Sequence, residues 1–294
     1  MANVGLSRLL TMKKNNTREP NVGLRYAYGA APELQIGQSL VNDLVNQACL
    51  QVMNLLAGHR VLDVGSGQGQ FSRLMAKAVG LKGKVVGVER DVHQLERAFE
   101  LAEQAGEFSL VEMRIGNVHD LPLTANEWGS FDVAHARFVL QQVPDPLRIV
   151  TQLVKAVRPG GRVVLLDDDH DLLRLHPEPP GASSLWQAYG RNCEGLGNDP
   201  FVGRRLVSLL HQAGARPVRN TFVFFGGCAG EATFETMVNH CLAVWQAAME
   251  TLLSRGLYET RYFEATLESL RRWSRLPDAA LWYPICYAEG IKAK

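Results

Sequence analysis

The stretch VLDVGSGQG at residues 61–69 constrains the fold more than any other part of the chain. An aliphatic run carries an acid, Asp63, and then Gly65, Gly67 and Gly69 crowd into the turn before a segment of helical spacing. Glycine tolerates positive φ at no steric cost and lets a ligand approach the backbone. The helix that follows offers unpaired N–H groups at its N-terminus, a seat for a polar ligand. A carboxylate at Asp63 suits a cationic or hydrogen-bond-donating ligand and would repel a pyrophosphate. The turn therefore points to a ligand with an amino acid end group.

The rest of the chain repeats the same rhythm. Valine- and leucine-rich runs read as strands: RVLDVG from Arg60, KVVGVE from Lys84, SLVEMRIG from Ser109, FDVAHA from Phe131 and RVVLLDD from Arg162. Helical spacing precedes them from Pro32 to Leu56 and fills the intervals over 70–79, 92–105 and 145–157, the last closed by Pro159, Gly160 and Gly161. Alternation of this kind builds a parallel sheet with helices on both faces. Beyond Leu166 the pattern changes. A connection with Pro177, Pro179 and Pro180 leads to helices around Leu185–Asn192 and Val202–Ala213, then to a strand, PVRNTFVFF. An apolar stripe through Met237, Val238, Leu242, Trp245 and Leu252 marks a long helix from Phe234, with a second from Phe263 to Trp273. A last strand, YPICYAEGIK, closes the sheet.

Composition excludes several classes. With 46% apolar and 21% charged residues this is an ordinary globular chain, and no run approaches the roughly 18 apolar residues that a membrane span needs. The 31 basic and 30 acidic residues are dispersed, so no basic face for nucleic acid is evident. Five cysteines, widely spaced and never in a C-x-x-C pair, encode neither a disulfide framework nor a zinc site. The N-terminal stretch has no apolar signal core and reads as a polar lead-in, so the expected location is the cytoplasm.

With these motifs in order, the chain resembles the class I S-adenosylmethionine-dependent methyltransferases, most closely the bacterial small-molecule type of ubiquinone and menaquinone biosynthesis. The resemblance runs from about Tyr28 to Ala215. It implies a Rossmann-like α/β fold: a seven-stranded, mostly parallel sheet with helices on both faces and a helical cap. The expected segments are a lead-in or lid over 1–31, the core over 32–229, a cap insertion over 230–279 and the final core strand over 280–294. By resemblance, Gly65, Gly67 and Gly69 pass beside the cofactor's methionine moiety, with Asp63 beneath them. Glu89, about 20 residues beyond Gly69, takes the ribose hydroxyls, and Arg90 lies beside the adenine. In GNVHDLP the family's usual Asp is replaced by Asn117, which with Val118 meets the adenine; an Asn carbonyl still accepts from an amino group, without a carboxylate's charge. FDVAHARFVLQQVPDP puts Ala136 and Arg137 at the cofactor's amino acid end. RYAYGAAPEL resembles a lead-in that folds over the cofactor, so Tyr26 and Tyr28 either close over the site or pack as ordinary amphipathic residues.

The acidic cluster LLDDDHDLL offers Asp169 and His170 as candidate catalytic or substrate-binding groups at the end of the fifth strand; the competing reading is solvated loop carboxylates. A metal is not expected, because Ala134, His135 and Ala136 stand where a second carboxylate would be needed. His135 reads equally as an interior residue or a catalyst. The expected partner is a small-molecule methyl acceptor, attacked in line. Two rivals remain: a protein that binds S-adenosylmethionine without using it, and a nicotinamide-dependent oxidoreductase. The second is disfavoured by Gln70, where a dinucleotide fingerprint wants Gly or Ala.

Overall fold

Burial follows the valine runs. In a computed structural model, which describes residues 45–294, β1 (Arg60–Val64) is buried at every position after Arg60. It lies between two parallel neighbours, β2 (Lys84–Glu89) and β4 (Phe131–Arg137), with Val61 opposite both Val85 and Val133. A strand covered on both faces has no polar side to show, which is why these runs do not alternate. β3 (Val111–Ile115) pairs outside β2, and β5 (Val157–Asp167) pairs parallel to β4 on the other side. The chain thus departs in opposite directions from β1 and β4. The crevice at their C-terminal ends is the switch point where sheets of this kind bind ligands.

Antiparallel to β5 runs β8 (Ala280–Lys292), whose other edge carries β7 (Ala215–Cys228) along its whole length. These are the seven expected strands. An eighth, β6 (Arg174–His176), pairs with Leu281 and its neighbours beside β5; its brevity and the prolines after it hide it in the sequence. Pro159-Gly160-Gly161 also differs from expectation. The helix ends at Ala156, and the strand starts at once with Val157 opposite Phe131. Residues 158–161 then bulge out, with Gly160 at φ 75°, before Arg162 pairs with Val133. A proline–glycine run thus interrupts a strand here, not a helix.

Helices cover both faces: α1 (residues 45–53 as described), α2 (Gln70–Val79), α3 (Val92–Gln104), α4 (Pro146–Ala156), α5 (Ala182–Gly195) and α6 (Leu206–Gln212). Sequence chemistry sets their starts. Asp91 caps α3 by accepting from the His93 and Gln94 amides, and Asp145 caps α4 with Pro146 at its first position. The helix expected over Val202–Ala213 begins as a 3-10 turn, Val202–Arg205.

Between the paired strands β7 and β8 stand α7 (Phe234–Ser254) and α8 (Thr260–Trp273). They share a hydrophobic core with α5, built on Leu185, Tyr189, Trp245, Phe263 and Trp273. The apolar stripe of α7 is therefore spent on packing, and α5 joins this layer instead of the sheet core. Among the described residues no helix is long and apolar enough to cross a membrane. The 1–31 segment, with Tyr26 and Tyr28, lies outside the described residues.

Trp245 is fully buried in that second core. Trp245→Ala is expected to cost about 3–5 kcal/mol, the range for removing a large buried aromatic, read as a lower urea midpoint.

Candidate functional site

The three glycines of the 61–69 turn all adopt positive φ, 74°, 53° and 70° at Gly65, Gly67 and Gly69. The Gly65 and Ser66 amides donate to the Val88 carbonyl of β2 at 2.9 and 3.1 Å, which folds the turn across the sheet's edge. A Cβ on Gly65 would lie 2.3 Å from Val139 Cγ2, whereas one on Gly67 would meet nothing within 4 Å. Gly65 is thus required by packing, and Gly67 leaves open space above the backbone.

Glu89 faces the same turn. Its Oε2 accepts from the Gly67 amide at 2.8 Å, and its Oε1 accepts from the Arg90 and Asp91 amides at 2.8 and 3.0 Å. Each carboxylate oxygen has more than one acceptor site, so Glu89 can still take a ligand hydroxyl. Arg90 and Asn117 are exposed beside it. The Asn117 Oδ1 accepts from the His119 amide at 2.9 Å, and Val118 is buried behind.

Asp63 is buried beneath the turn. Its Oδ1 lies 2.8 Å from His135 Nδ1, and its Oδ2 accepts from Ser72 Oγ at 2.5 Å. His135 is thereby an interior, hydrogen-bonded residue, with its ring 5.2 Å from that of Phe71. Ala136 is opposite Val64, which sets the end of β4 beside Gly65. The Arg137 guanidinium stacks 4.4 Å over the Phe71 ring and donates from Nη2 to Asn46 Oδ1 at 2.8 Å. Its Nη1 is buried without a partner among the described residues.

The acidic cluster divides residue by residue. Asp167 is fully buried, and its Oδ2 accepts from the Leu140 amide at 2.8 Å; burial, with the neighbouring Asp168 charge, raises its pKa well above the usual range. Asp169 is taken by Arg204, whose Nε and Nη2 reach its two oxygens at 2.7 and 2.6 Å. His170 is buried among the rings of Trp186 and Tyr189, 4.8 and 5.6 Å away, and burial pushes its pKa down to about 4. Neither Asp169 nor His170, the candidates favoured by sequence, lines the nearby cavity. Asp168 does. A strand end turns successive side chains to opposite sides, which separates neighbours that a sequence shows as one cluster. Among the described residues no group of three or more His, Cys, Asp or Glu is arranged to hold a metal.

That cavity, of about 100 Å³, begins where the cofactor-type features end. Phe138, next after Arg137, forms one wall from a left-handed backbone at φ 56°, a conformation that costs a non-glycine residue about 1–2 kcal/mol. Gln141 and Asp168 line it from the ends of β4 and β5, Trp186 from α5, His240 and Cys241 from α7, and Tyr283 from β8. Gln141 Nε2 donates to Asp168 Oδ2 at 3.1 Å, and Tyr283 also hydrogen-bonds this carboxylate. Burial outweighs both and lifts the Asp168 pKa to about 6. The same desolvation lowers His240 to about 4 and raises Cys241 to about 12.

Residues 55–200 match the family model described as a methyltransferase domain. Over these residues the chain is similar to methyltransferase domains. The demethylmenaquinone methyltransferase of Lactococcus lactis subsp. lactis is 32% identical over 172 residues, which cover 58% of this chain and 62% of that protein. A 2-phytyl-1,4-naphtoquinone methyltransferase of Synechococcus elongatus is 36% identical over 110 residues, 37% of this chain and 46% of the relative. The match thus spans from about half to three fifths of the length of these relatives. In fold the chain is like geranyl diphosphate C-methyltransferase from Streptomyces coelicolor, with a TM-score of 0.54 at 13% identity over 92% of this chain and 89% of that one.

Motif reading singles out the glycine turn and Glu89, but not Gln141, Trp186, His240 or Tyr283 on the cavity, for which the sequence carries no local signal. Asp168 belongs to the acidic cluster that it does single out, one residue from the favoured Asp169. The two glycines separate packing from space in a direct way. Gly65→Ala adds a Cβ clash to the strain of positive φ and is expected to lower stability well beyond Gly67→Ala, which carries only the roughly 1–2 kcal/mol backbone cost. Paired thermal unfolding curves check the order.

Proposed function

We propose that the protein transfers a methyl group from S-adenosylmethionine to a small-molecule acceptor by in-line displacement. The observation that carries this reading is continuity: the positive-φ glycine turn, Glu89 bonded to its Gly67 amide, and the cavity that opens at Phe138 adjoin the same strand ends. The residues fit the cofactor by the open space over Gly67 and by two buried donors, Ser66 Oγ and Arg137 Nη1, without partners among the described residues. In this reading Gly65, Gly67, Gly69, Ala136 and Arg137 border the amino acid end, with Asp63 fixing the turn from below. Glu89 holds the ribose, and Arg90, Asn117 and Val118 border the adenine.

When bound, S-adenosylmethionine supplies a methyl group already activated by its sulfonium. The chain then has to hold the acceptor in line and keep water out, and positioning alone can contribute about 7–11 kcal/mol. Phe138, Trp186, Tyr283 and the apolar side of α7 suit that work, because an aromatic-walled cavity orients a flat ring. The relatives are named for menaquinone and naphthoquinone chemistry, which supports a ring-bearing, largely apolar acceptor. The five thiols, none in a disulfide, support a reducing, cytoplasmic setting. A binder that does not turn over is the surviving second reading; release of S-adenosylhomocysteine with quinol-type acceptors separates the two.

Glu89→Ala removes a charge-assisted partner worth about 1.5–3 kcal/mol, so S-adenosylhomocysteine affinity is expected to fall by tenfold or more in titration calorimetry. Unchanged affinity removes the ribose assignment. Stabilisation by NADH but not by S-adenosylmethionine overturns the whole reading.

A further inference from the structure

We propose that Asp168 takes the proton of the methyl-accepting group, and that the acceptor is accordingly a flat, largely apolar molecule bearing a weakly acidic hydroxyl. This rests on the methyl-transfer reading above and adds to it the base and the chemistry of the acceptor.

Among the described residues lining the cavity, Asp168 is the one carboxylate. It is 4% exposed, and Gln141 and Tyr283 both hydrogen-bond its carboxylate, Gln141 at Oδ2, yet Oδ1 is left without a close hydrogen-bond partner among the described residues. A buried acceptor oxygen left unsatisfied is costly and rare, and a ligand hydroxyl is the donor that an otherwise apolar cavity calls for. The support behind Asp168 is rigid. Asp167 accepts from the Leu140 amide and so anchors the turn that carries Gln141, and the Gly203 amide donates to the Asp168 carbonyl at 2.8 Å. A Cβ on Gly203 would lie 2.6 Å from that carbonyl oxygen, so only glycine lets this amide approach the Asp168 backbone so closely.

The other groups nearby are poorer bases. His240 is depressed to about 4 by burial, Cys241 keeps its proton to about 12, and Asp169 is neutralised by Arg204. Asp168, lifted to about 6, is a stronger base than an ordinary carboxylate while still ionised at neutral pH. An amine is a poorer match: protonated, it would pair with Asp168 as an ammonium that has no lone pair to attack with.

In the step itself the acceptor O–H bond breaks and its proton passes to Asp168 Oδ1. An oxygen lone pair forms the new O–CH3 bond as the S–CH3 bond of S-adenosylmethionine breaks, and the sulfur keeps that electron pair as a neutral thioether. One carboxylate charge and one sulfonium charge vanish together, which favours the reaction in a buried, apolar site.

The test uses the full chain saturated with S-adenosylhomocysteine and two probes, 1-naphthol and its methyl ether, 1-methoxynaphthalene. Titration calorimetry at pH 7.5 is expected to show 1-naphthol binding at least tenfold more tightly than the ether. That preference is expected to decline as pH falls through about 6 and Asp168 becomes protonated. The groups facing Asp168 are Asp167 and Asp169 on its own strand end, Arg204 behind Asp169, Cys193 of α5, His240 and Cys241 of α7, and Tyr283 and Cys286 of β8. His240 stays neutral above about 4, and the three thiols stay protonated to about 11 or 12, so none of these four titrates near pH 6; Asp167, which burial also raises, holds the Leu140 amide and does not line the cavity, so its protonation does not by itself distinguish the two probes. Asp168→Asn is expected to keep S-adenosylhomocysteine affinity and lose both the preference and its pH dependence. The wild-type pH series carries the test alone if that variant does not fold. Absent binding of 1-naphthol, equal affinity for the two probes, or a preference retained in Asp168→Asn overturns the assignment. Failure to bind S-adenosylhomocysteine at all overturns the underlying reading instead.

Discussion

The carboxylate of Asp63, buried at the end of β1, ties together the elements on which the site is built. One oxygen meets His135 of β4 and the other holds Ser72 of α2. A carboxylate in that position could not persist unpaired, because desolvation without compensation would cost several kcal/mol. With both partners present it fixes the spacing between two parallel strands and sets the angle at which α2 leaves the glycine turn. Glu89 repeats the device one strand over, gathering the Gly67, Arg90 and Asp91 amides. The turn is therefore pinned from below by one acid and from the side by another before any ligand arrives, which lowers the ordering cost of binding.

The cluster at 167–170 shows how a strand end distributes work. Asp167 points into the fold and anchors the turn after β4, Asp168 reaches the cavity, Asp169 is paired with Arg204, and His170 is enclosed by Trp186 and Tyr189. Chemically similar neighbours thus live in different dielectric surroundings. Desolvation acts strongly on Asp167, Asp168 and His170, whereas Asp169 has its counter-charge at hand.

The cavity belongs to two layers at once. Its floor comes from the ends of β4 and β5, which the methyltransferase domain supplies, and its walls come from α5, α7 and β8. Because α7 and α8 rise between two paired strands, their position is held at both ends by the sheet, and their own core with α5 holds them between. Cavity-lining residues such as Trp186 and His240 are carried by helices whose other faces are packed. A site on such supports is more sharply defined than one on loops.

Strand–helix alternation, the glycine turn and the acid at Glu89 were legible in the sequence because each depends on local chemistry: burial on both faces of a strand, positive φ, and a carboxylate at a strand end. Helix limits such as Gln70–Val79, which lies between Gly69 and Gly80, followed from apolar spacing and flanking glycines for the same reason. The bulge at residues 158–161 and the short strand Arg174–His176 did not follow, since both depend on which strand lies alongside. Which member of the acidic cluster faces the cavity was likewise decided only by tertiary structure. Side-chain direction at a strand end is set by the pairing register and by distant partners, here Arg204, Gln141 and Tyr283, that no local pattern ties to residues 167–170.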